Sequence, residues 1–285
     1  MIAVVVPTIR PESMSRFKKA WSELFTFHDV QLVTVWDGKK PTVEHKENTY
    51  TVKQIMGDDE DLIYNFNDGI RNLGFAYVAQ FVPEAEYIIT LDDDVEPCGD
   101  TIQDHINALH MNVPIRWIST ASEYMRGFPY RIRNEAEVVL SHGVWNGVKD
   151  WDAPTQLVRG NPDVTFYKGP IPKNILFPMC IMNVAFKRKI LNIMYQAPMG
   201  PKVGVDRFGD IWGGIEVKKD IDAYNVAAVT GFARVEHTRA SNVYSNLIKE
   251  AKGIGMNEKY GEDEYFKLFI EKRNRWIEFI NPFLL

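Results

Sequence analysis

Hydrophobic residues in the first third of the chain alternate between short continuous runs and helical spacings. Apolar, β-branched runs occupy residues 2–6 and Val30–Trp36, and each ends at a turn signal, which is typical of strands buried on both faces of a sheet. Between them, Phe17, Trp21 and Leu24 recur at helical spacing and predict a helix over residues 13–25.

A second helix and a third strand follow in the same order. After the acidic stretch GDDED at 57–61, apolar residues step by three and four and predict a helix. They are Ile63, Phe66, Ile70, Leu73 and Tyr77. A strand over Tyr87–Leu91 comes next. This alternation predicts an α/β fold with a mostly parallel central sheet flanked by helices.

The rest of the chain is less regular. Residues 120–205 are rich in Pro, Gly, Trp and Tyr with little periodicity, which predicts long loops over the scaffold. A helix over 212–225, a strand over 226–230 and a polar loop follow, and then a charged helical tail. The organisation predicted is one domain over 1–240 with a C-terminal helical appendage over 241–285 packed on it. An apolar stripe on the tail, which includes Phe269 and Trp276, is a candidate interface for a homo-oligomer.

Composition narrows the function classes. The 285 residues are 45% hydrophobic and 25% charged, with a net charge of −5, so a broad nucleic-acid surface is not expected. The two cysteines, Cys98 and Cys180, form neither a disulfide framework nor a metal-binding spacing. With no apolar run of membrane-spanning length and no signal peptide, we expect a soluble, cytoplasmic protein.

The sequence EYIITLDDDVEPC at 86–98 places three aspartates at the end of a buried strand. Along extended chain, side chains alternate, so Asp92 and Asp94 are predicted to converge while Asp93 points elsewhere. Two convergent carboxylates suit Mg²⁺ or Mn²⁺ bound together with substrate phosphates. The alternative is a surface turn of solvated acids that caps the following helix.

Nine segments, the strand with the acidic triplet among them, occur in an order that resembles a known family. They are VVPTIR (5–10), WDG (36–38), IRNLGFAY (70–77), YIITLDDD (87–94), RGFPYRIR (126–133), LSHGVWNGVKDWDAPTQ (140–156), IPKNILFPMCIMNVAF (171–186), DRFGDIWGG (206–214) and EHTRASN (236–242). Through them, roughly residues 2 to 255 resemble the GT-A (Rossmann-like) glycosyltransferase fold, and more narrowly the family of reversibly glycosylated polypeptides, which includes UDP-arabinopyranose mutases.

The resemblance implies roles at the carboxyl ends of the strands. Thr8, Arg10 and Asp37 match positions that cradle the nucleoside, although an Asp-Gly turn accounts equally well for Asp37. Arg71 would face the diphosphate, its alternative being a solvated helix arginine. The implied metal ligands for Mn²⁺ or Mg²⁺ are Asp92, Asp94 and His237, with Asp93 on the ribose or the sugar.

The arginine motif is the most specific of the segments. In the family an arginine of this motif carries the sugar in a reversible covalent link, and the matching positions here are Arg126 and Arg133. The alternative is a pair of arginine forks that clamp the diphosphate. Asp206 and Asp210 match an acidic position that faces the sugar, and Asp210 is the better candidate because Gly209 stands where related sequences carry a second acid.

Tryptophans near these motifs are candidates for stacking on a sugar ring, although burial in the core is the commoner role of tryptophan. The three concerned are Trp145, Trp151 and Trp212.

Three functions remain open from the sequence. The first is a metal-dependent UDP-sugar enzyme that interconverts pyranose and furanose forms of a UDP-sugar, UDP-arabinose being the expected substrate, with reversible self-glycosylation on arginine. The second is a glycosyltransferase that uses an external acceptor, and the third is an inactive binding or assembly protein with the same fold.

Overall fold

The computed structural model describes residues 1–119, 123–238 and 241–284. Within them, one mixed sheet has the strand order β4-β3-β2-β1-β5-β10-β8-β11-β6, with β7 paired to β8 and β9 paired to β11. The strands are β1 (Ile2–Thr8), β2 (Val30–Trp36), β3 (Thr42–His45), β4 (Asn48–Thr51), β5 (Tyr87–Leu91), β6 (Val95–Pro97), β7 (Asn112–Val113), β8 (Ala136–Gly147), β9 (Gly169–Pro170), β10 (Asn183–Lys187) and β11 (Ala227–His237).

Helices cover both faces of this sheet. They are α1 (Pro11–Phe27), α2 (Val52–Met56), α3 (Arg71–Phe81), α4 (Thr101–Leu109), α5 (Ala153–Arg159), α6 (Gly209–Ala223), α7 (Val243–Asn257) and α8 (Glu264–Ile280). Short 3₁₀ helices occupy Gly57–Leu62, Asp68–Ile70, Tyr130–Ile132, Arg188–Ile193 and Asn281–Phe283. The prediction of an α/β fold with a C-terminal helix is confirmed.

Strand direction decides which loops meet. β1 pairs in parallel with β2 and with β5, β8 pairs in parallel with β11, and β5 and β8 both pair antiparallel with β10. Strands β1, β2, β5, β8 and β11 therefore all run the same way. Their carboxyl ends form one edge of the sheet, called the carboxyl edge below, and the loops that follow these strands gather there.

Two hydrophobic clusters lie on opposite faces of the sheet. Ala3 and Val5 of β1 belong to the cluster under α3, α6 and α8, whereas Val4 and Val6 belong to the cluster under α1 and α4. Alternate residues of β1 thus enter different cores, as its continuous apolar run predicts. Strands β2 and β5 have the predicted bounds.

The second predicted helix begins later than its apolar spacing indicates. The helix α3 starts at Arg71, and Phe66 adopts a φ of 61°, which no helix accommodates. Asn67 accepts a hydrogen bond from the backbone N–H of Gly69 and starts a 3₁₀ turn there. The prediction was wrong at this end because capping and turn chemistry override the hydrophobic spacing.

The middle of the chain is more regular than predicted. Strands β8 and β10 lie inside the stretch expected to be loops, and the twelve residues of β8 make it the longest strand described. Its apolar run is interrupted by Ser141 and His142, which are buried and hydrogen-bonded in the core. β11 likewise continues beyond its predicted end to His237, through an irregularity around Gly231, whose φ is +84°.

The tail stripe packs on its own domain. Phe269, Trp276 and Ile280 of α8 are fully buried in the cluster under α3 and α6. The expectation that this stripe forms an oligomer interface is wrong, because the core of the same chain covers it.

Candidate active site

The three aspartates after β5 face two different cavities. Asp92 lines a cavity of about 570 Å³, whereas Asp93 and Asp94 line a separate cavity of about 290 Å³. Asp93 is buried and its two neighbours are half-exposed, so burial alternates as extended chain requires. Asp92 and Asp94 do not share one cavity, however, which differs from the convergence expected from alternation alone.

Asp92 is paired with Arg71 at the start of α3. The Arg71 guanidinium is 3% exposed and donates to Asp92 Oδ1, to the Thr90 hydroxyl at 3.2 Å and to Asp68 at 3.4 Å. Because α3 begins at the carboxyl edge, its first residue reaches the tip of β5. Arg71 is therefore a buried member of the site rather than a solvated helix residue.

Asp93 and Asp94 share a second arginine, Arg10, which follows β1. Arg10 donates to both carboxylates, with 3.0 Å to Asp94 Oδ2 and 3.1 Å from Nε to Asp93 Oδ2. The Thr8 hydroxyl donates to Asp93 Oδ2 at 2.5 Å. Two arginines thus compensate the adjacent negative charges of the triplet.

His237 reaches the triplet from the end of β11. Antiparallel pairing with β6 sets His237 opposite Val95 and brings its Nε2 to 3.9 Å from Asp94 Oδ1. Nδ1 lies 2.8 Å from the carbonyl oxygen of Val148 and donates its N–H there, so Nε2 is the nitrogen that faces Asp94. A carbonyl that holds the other nitrogen is the usual support of a metal-binding histidine.

Close approach of two strands makes that support possible. Gly147 has a φ of +69°, and a Cβ there would lie 2.4 Å from the carbonyl oxygen of His237. Only glycine fits, and the next residue, Val148, then donates its N–H to the same oxygen at 3.1 Å.

These groups fit a divalent cation in part. Asp94 Oδ1 and His237 Nε2 face each other at 3.9 Å and can serve as two ligands of Mn²⁺ or Mg²⁺. Within the described ranges, no group of three or more His, Cys, Asp or Glu side chains is close enough to hold a metal. Asp92 is thus not brought into a three-residue ligand set, and phosphate oxygens or water would complete the coordination.

Asp37, at the end of β2, has both carboxylate oxygens occupied by backbone. It accepts from Gly38 N–H and from Phe66 N–H, each at 2.7 Å. Burial raises its pKa, and these two hydrogen bonds oppose the rise. The geometry is that of the Asp-Gly turn, extended by a link to the loop before α3, and a nucleoside contact stays a prediction.

The larger cavity is rich in acids. It lies between the triplet, the loop after β8, and the amino ends of α5 and α6. Its charged lining residues are Asp68, Arg71, Asp92, Asp150, Asp152, Arg207, Asp210, Glu250 and Glu258. Seven acids and two arginines give a formal charge of −5 when all are ionised, so the cavity favours a cationic or positively polarised group.

Asp210 is the acid in this cavity whose ionisation is hardest. Burial raises its pKa well above the ordinary range, and the Asp68 and Asp150 carboxylates act in the same direction. Its oxygens accept from Ile211 N–H at 2.9 Å and from Ile181 N–H at 3.3 Å. Carboxyl groups whose environments push their pKa values apart are suited to a pair of roles, in which one acid donates a proton and another accepts one.

A buried carboxylate of α7 joins two loops at this cavity. Glu250 accepts from Arg207 Nε at 3.0 Å and from the backbone N–H of Ala153, at the start of α5, at 2.7 Å. Arg207 has a φ of 63°, which is uncommon for a residue with a side chain. This backbone turn directs its guanidinium towards the cavity.

Arg126 and Arg133 lie away from these groups. Both precede β8 and therefore lie near the amino end of a strand whose carboxyl end is at the site. Val184 of β10 pairs with both His142 and Thr90, and Ala136 is six residues before His142, roughly 20 Å along the strand. The structure does not bring Arg126 or Arg133 to the triplet or to Asp210, and their catalytic role stays a prediction.

Two of the three candidate tryptophans lie in the core, and one lies at the larger cavity. Trp145 and Trp212 are buried in the core, and Trp212 packs against Phe208 and Tyr265. Only Trp151 of the three lines the larger cavity.

Sequence reasoning missed several lining residues. Asp68, Asp150, Arg207 and Glu250 were not predicted as site residues, although Asp150 and Arg207 stand inside the quoted segments VKDWDAPTQ and DRFGD. A charged residue beside a turn glycine or an aromatic residue in a long loop was the available signal. Asp206, by contrast, faces Lys249 at 3.8 Å and does not line the cavity.

Comparison with known proteins agrees with the segments noted above. The family described as reversibly glycosylated polypeptide matches residues 1–267. UDP-arabinopyranose mutase 1 of Oryza sativa subsp. japonica is 32% identical, over 90% of this chain and 74% of its own length. A probable UDP-arabinopyranose mutase 1 of Zea mays is 34% identical, over 90% and 74%.

Solved structures resemble the chain only distantly. A β1,4-galactosyltransferase 7 mutant of Drosophila, in complex with manganese, UDP-Gal and xylobiose, has a TM-score of 0.41 at 11% identity and covers 86% of this chain and 72% of its own. A glycosyltransferase that acts in glycosylation of the major capsid of PBCV-1 has a TM-score of 0.37 at 9% identity, with 89% and 98% covered. Likeness of this degree assigns no site residue.

The chain belongs to the reversibly glycosylated polypeptide family, and the predicted membership is confirmed. The relatives named above are enzymes, which agrees with the prediction of an enzyme. In the part of the chain that the structure describes, no helix is long and apolar enough to cross a membrane.

Proposed function

We propose that this chain is a UDP-sugar enzyme of the UDP-arabinopyranose mutase type, which releases the sugar from UDP, lets the ring change between pyranose and furanose, and returns it to UDP. The names of its relatives support the reaction class. The observation that carries the proposal is the larger cavity, where the Arg71–Asp92 ion pair, the buried Asp210, whose pKa is raised, and further carboxylates line one space.

The charges within the site suit the two halves of a UDP-sugar differently. When the bond between C1 and the diphosphate oxygen breaks, the electron pair leaves with UDP and positive charge develops on C1 and the ring oxygen. A cavity with an excess of carboxylates stabilises that charge and repels the diphosphate. In this proposal the sugar occupies the larger cavity, and Arg71, which lines it beside Asp92, binds the diphosphate.

Proton transfer during ring exchange needs an acid and a base in one cavity. Opening the pyranose adds a proton to the ring oxygen, and closing the furanose removes a proton from the attacking hydroxyl. Asp210, whose pKa is raised by burial and by the nearby carboxylates, supplies the first proton. Asp150, which lines the same cavity, accepts the second.

A divalent cation fits next to the diphosphate. Asp94 and His237 would hold it, and Arg10 and Thr8 would fix Asp93 and Asp94 around it. When bound, such an ion neutralises the diphosphate and makes it a better leaving group. The hydrogen bond from His237 Nδ1 to the Val148 carbonyl keeps Nε2 free as a ligand.

Reversible self-glycosylation on Arg126 belongs to the same proposal. A guanidinium is a poor nucleophile while protonated, so a carboxylate must take its proton before a nitrogen attacks C1. Arg126 lies near the other end of β8, outside the cavity of its own chain. The carboxylates of that cavity therefore do not lie beside Arg126 in its own chain.

The deciding experiment incubates the chain with UDP-arabinopyranose and Mn²⁺ and separates pyranose and furanose products by anion-exchange chromatography. Furanose product that disappears in Asp92→Asn and Asp210→Asn, and persists in Asp163→Asn, supports the proposal. Asp163 is exposed and does not line the cavity, so its variant controls for the chemical change alone.

Two results would overturn it. UDP release that requires an added acceptor, without furanose, would establish an external glycosyltransferase instead. Absence of turnover with UDP-arabinose and with a panel of other UDP-sugars would favour a binding protein.

A further inference from the structure

An exposed aromatic patch surrounds the arginine motif. Tyr130 is 83% exposed, Trp117 49% and Met125 46%. Tyr124 and Trp117 both pack on Phe128, with ring centroids 4.8 and 5.9 Å apart. Large apolar side chains grouped on a surface mark an interaction site more often than scattered ones do.

The patch is also held in place and positively charged. The Arg133 guanidinium stacks over Tyr124 at 4.4 Å and over Tyr130 at 3.9 Å, which orders residues 123–133, called the arginine segment below. Arg126 is exposed, and it forms no ion pair with any residue that the structure describes. Arg131 is exposed beside it.

The neighbouring surface adds to this charge. Arg116 lies next to the segment and pairs with Glu135 at 2.8 Å. Arginines outnumber acids here, whereas acids outnumber arginines by seven to two in the larger cavity at the carboxyl edge. The two surfaces belong to opposite edges of one sheet, and in the folded chain the length of β8 separates them.

We propose that the arginine segment of one copy docks at the larger cavity of a second copy of this chain, with Arg126 entering among its carboxylates. The occupant fits by charge and by surface: a basic, aromatic segment meets an acidic opening lined by Trp151, Phe208 and Ile254. Exposed Glu258 stands at the rim of the cavity and faces the incoming positive charge.

The docking places Arg126 beside a carboxylate that can accept its proton. Inside the cavity a carboxylate of the second copy accepts a proton from the guanidinium, and the freed nitrogen attacks C1 as the bond to UDP breaks. The sugar then joins the arginine and UDP leaves with the electron pair; attack by UDP reverses the step. This catalytic consequence rests on the proposed function, whereas the docking itself rests on the two surfaces.

Self-association is measured by sedimentation velocity over a concentration series, at low and at high salt. We expect association that weakens with salt, because complementary charges are screened. Arg126→Glu and Glu258→Arg should each weaken the dissociation constant about tenfold or more. Lys19→Glu and Glu23→Arg make the same charge changes on exposed positions of α1 and should leave association unchanged.

A chain that stays monomeric at low salt, or that associates equally well in all four variants, overturns the docking. Circular dichroism of each variant establishes that it is folded. Because all four positions are exposed, a changed sedimentation profile reports the surface rather than the core.

Mixing two defective chains tests the transfer between copies. The Arg126→Ala chain keeps an intact cavity and lacks the arginine that accepts the sugar. The Asp92→Asn chain keeps Arg126 and has an inactive cavity. Transfer between copies predicts that a mixture with UDP-arabinose and Mn²⁺ adds one sugar to the Asp92→Asn chain, as measured by intact mass, although that chain alone gains none. No adduct in the mixture, with an adduct on the wild-type chain, overturns transfer between copies.

The two outcomes remain distinguishable if the proposed function fails. A wild-type chain that gains no sugar and produces no furanose contradicts the proposed function. The sedimentation series then still decides the docking, because it measures association without any substrate.

Discussion

Nε2 of His237 faces Oδ1 of Asp94 across 3.9 Å. The two atoms come from segments far apart in sequence, and the carbonyl of Val148 lies 2.8 Å from Nδ1 of His237, so Nε2 is the nitrogen that faces the carboxylate. A carboxylate oxygen and an imidazole nitrogen that face each other can hold a cation between them. The relationship therefore leads to a test of metal binding.

We expect His237→Ala to lower the affinity for Mn²⁺ in the presence of UDP by at least tenfold, since even groups that only support a metal ligand change affinity by about 10–100-fold. Isothermal titration of Mn²⁺ into the UDP-saturated protein measures it. His110→Ala is the matched control, because His110 is exposed and contacts Tyr87 at the amino end of β5. Equal affinities in both variants would place the cation elsewhere.

Asp210 should make the protein less stable as pH rises. Its folded-state pKa is raised above the ordinary value of 3.8, so from about pH 4 upward the unfolded chain releases a proton that the folded protein still holds. Asp210→Asn removes this loss. At pH values above about 5, we expect the variant to have a higher midpoint temperature of unfolding than wild type, by a margin that shrinks towards pH 4. We also expect it to form no product.

Thermal unfolding of both proteins between pH 4 and 8 measures this margin. A variant that is less stable than wild type at every pH would show that folding needs the ionised carboxylate of Asp210 rather than its neutral acid. The amide oxygen of Asn can still accept the Ile211 N–H bond, so lost hydrogen bonding alone does not explain such a result.

Two buried histidines should have the opposite effect and make the protein more stable as pH rises. Burial lowers the pKa of His105 to about 4 and that of His142 to about 3, and the proximity of His105 adds to the lowering at His142. Because the unfolded chain binds protons near pH 6.5 and the folded protein does not, stability contributed by the neutral forms is complete above pH 6.5 and is lost as pH falls towards 4.

Chemical denaturation at several pH values measures how steeply the free energy of unfolding changes with pH. His142→Phe should make stability less steep between pH 6.5 and 4, since a phenyl ring suits the contacts with Trp145 and Phe177. His110→Ala, at an exposed position, should leave the slope as it is. An unchanged slope in His142→Phe would mean that this histidine is already charged in the folded protein.

Gly74 should not tolerate a methyl group. A Cβ at this position of α3 would lie 2.5 Å from Val5 Cγ1 and 2.7 Å from Val35 Cγ2, so Gly74→Ala forces the helix off the sheet and costs about 1–3 kcal/mol. Gly255 in α7 has open space around it, and Gly255→Ala should stabilise by about 0.5–1 kcal/mol. Urea unfolding of both variants gives the comparison, and a neutral Gly74→Ala would contradict the close packing.

The C-terminal helix should be part of the single folding unit. Trp276 is fully buried against Tyr195, and Trp276→Ala should cost about 3–5 kcal/mol. Trp117→Ala, at a half-exposed position, should change stability by less than about 1 kcal/mol. If the tail were a separate appendage, Trp276→Ala would leave the main calorimetric transition unchanged and remove only a minor one.

Much of the framework was evident from hydrophobic pattern. The runs that became β1, β2 and β5, and the spacing that became α1 and the stripe of α8, depend on local sequence periodicity, which is set by the geometry of strands and helices. β8 was missed because its buried polar residues, Ser141 and His142, find hydrogen-bond partners only in the assembled core. No local pattern predicts a partner that is distant in sequence.

The site divides along the same line. The sequence by itself determined the strand that ends in Asp92–Asp94, the family, and the candidates Thr8, Arg10, Arg71 and His237, because motifs at strand ends are contiguous in the chain. Only the tertiary structure decided that Asp92 and Asp94 face different cavities, that burial among other acids raises the pKa of Asp210, and that Arg126 lies outside the cavity of its own chain. The physical reason is that separation, desolvation and charge–charge energy depend on distances that strand order and direction set, and those distances appear only when the sheet is assembled.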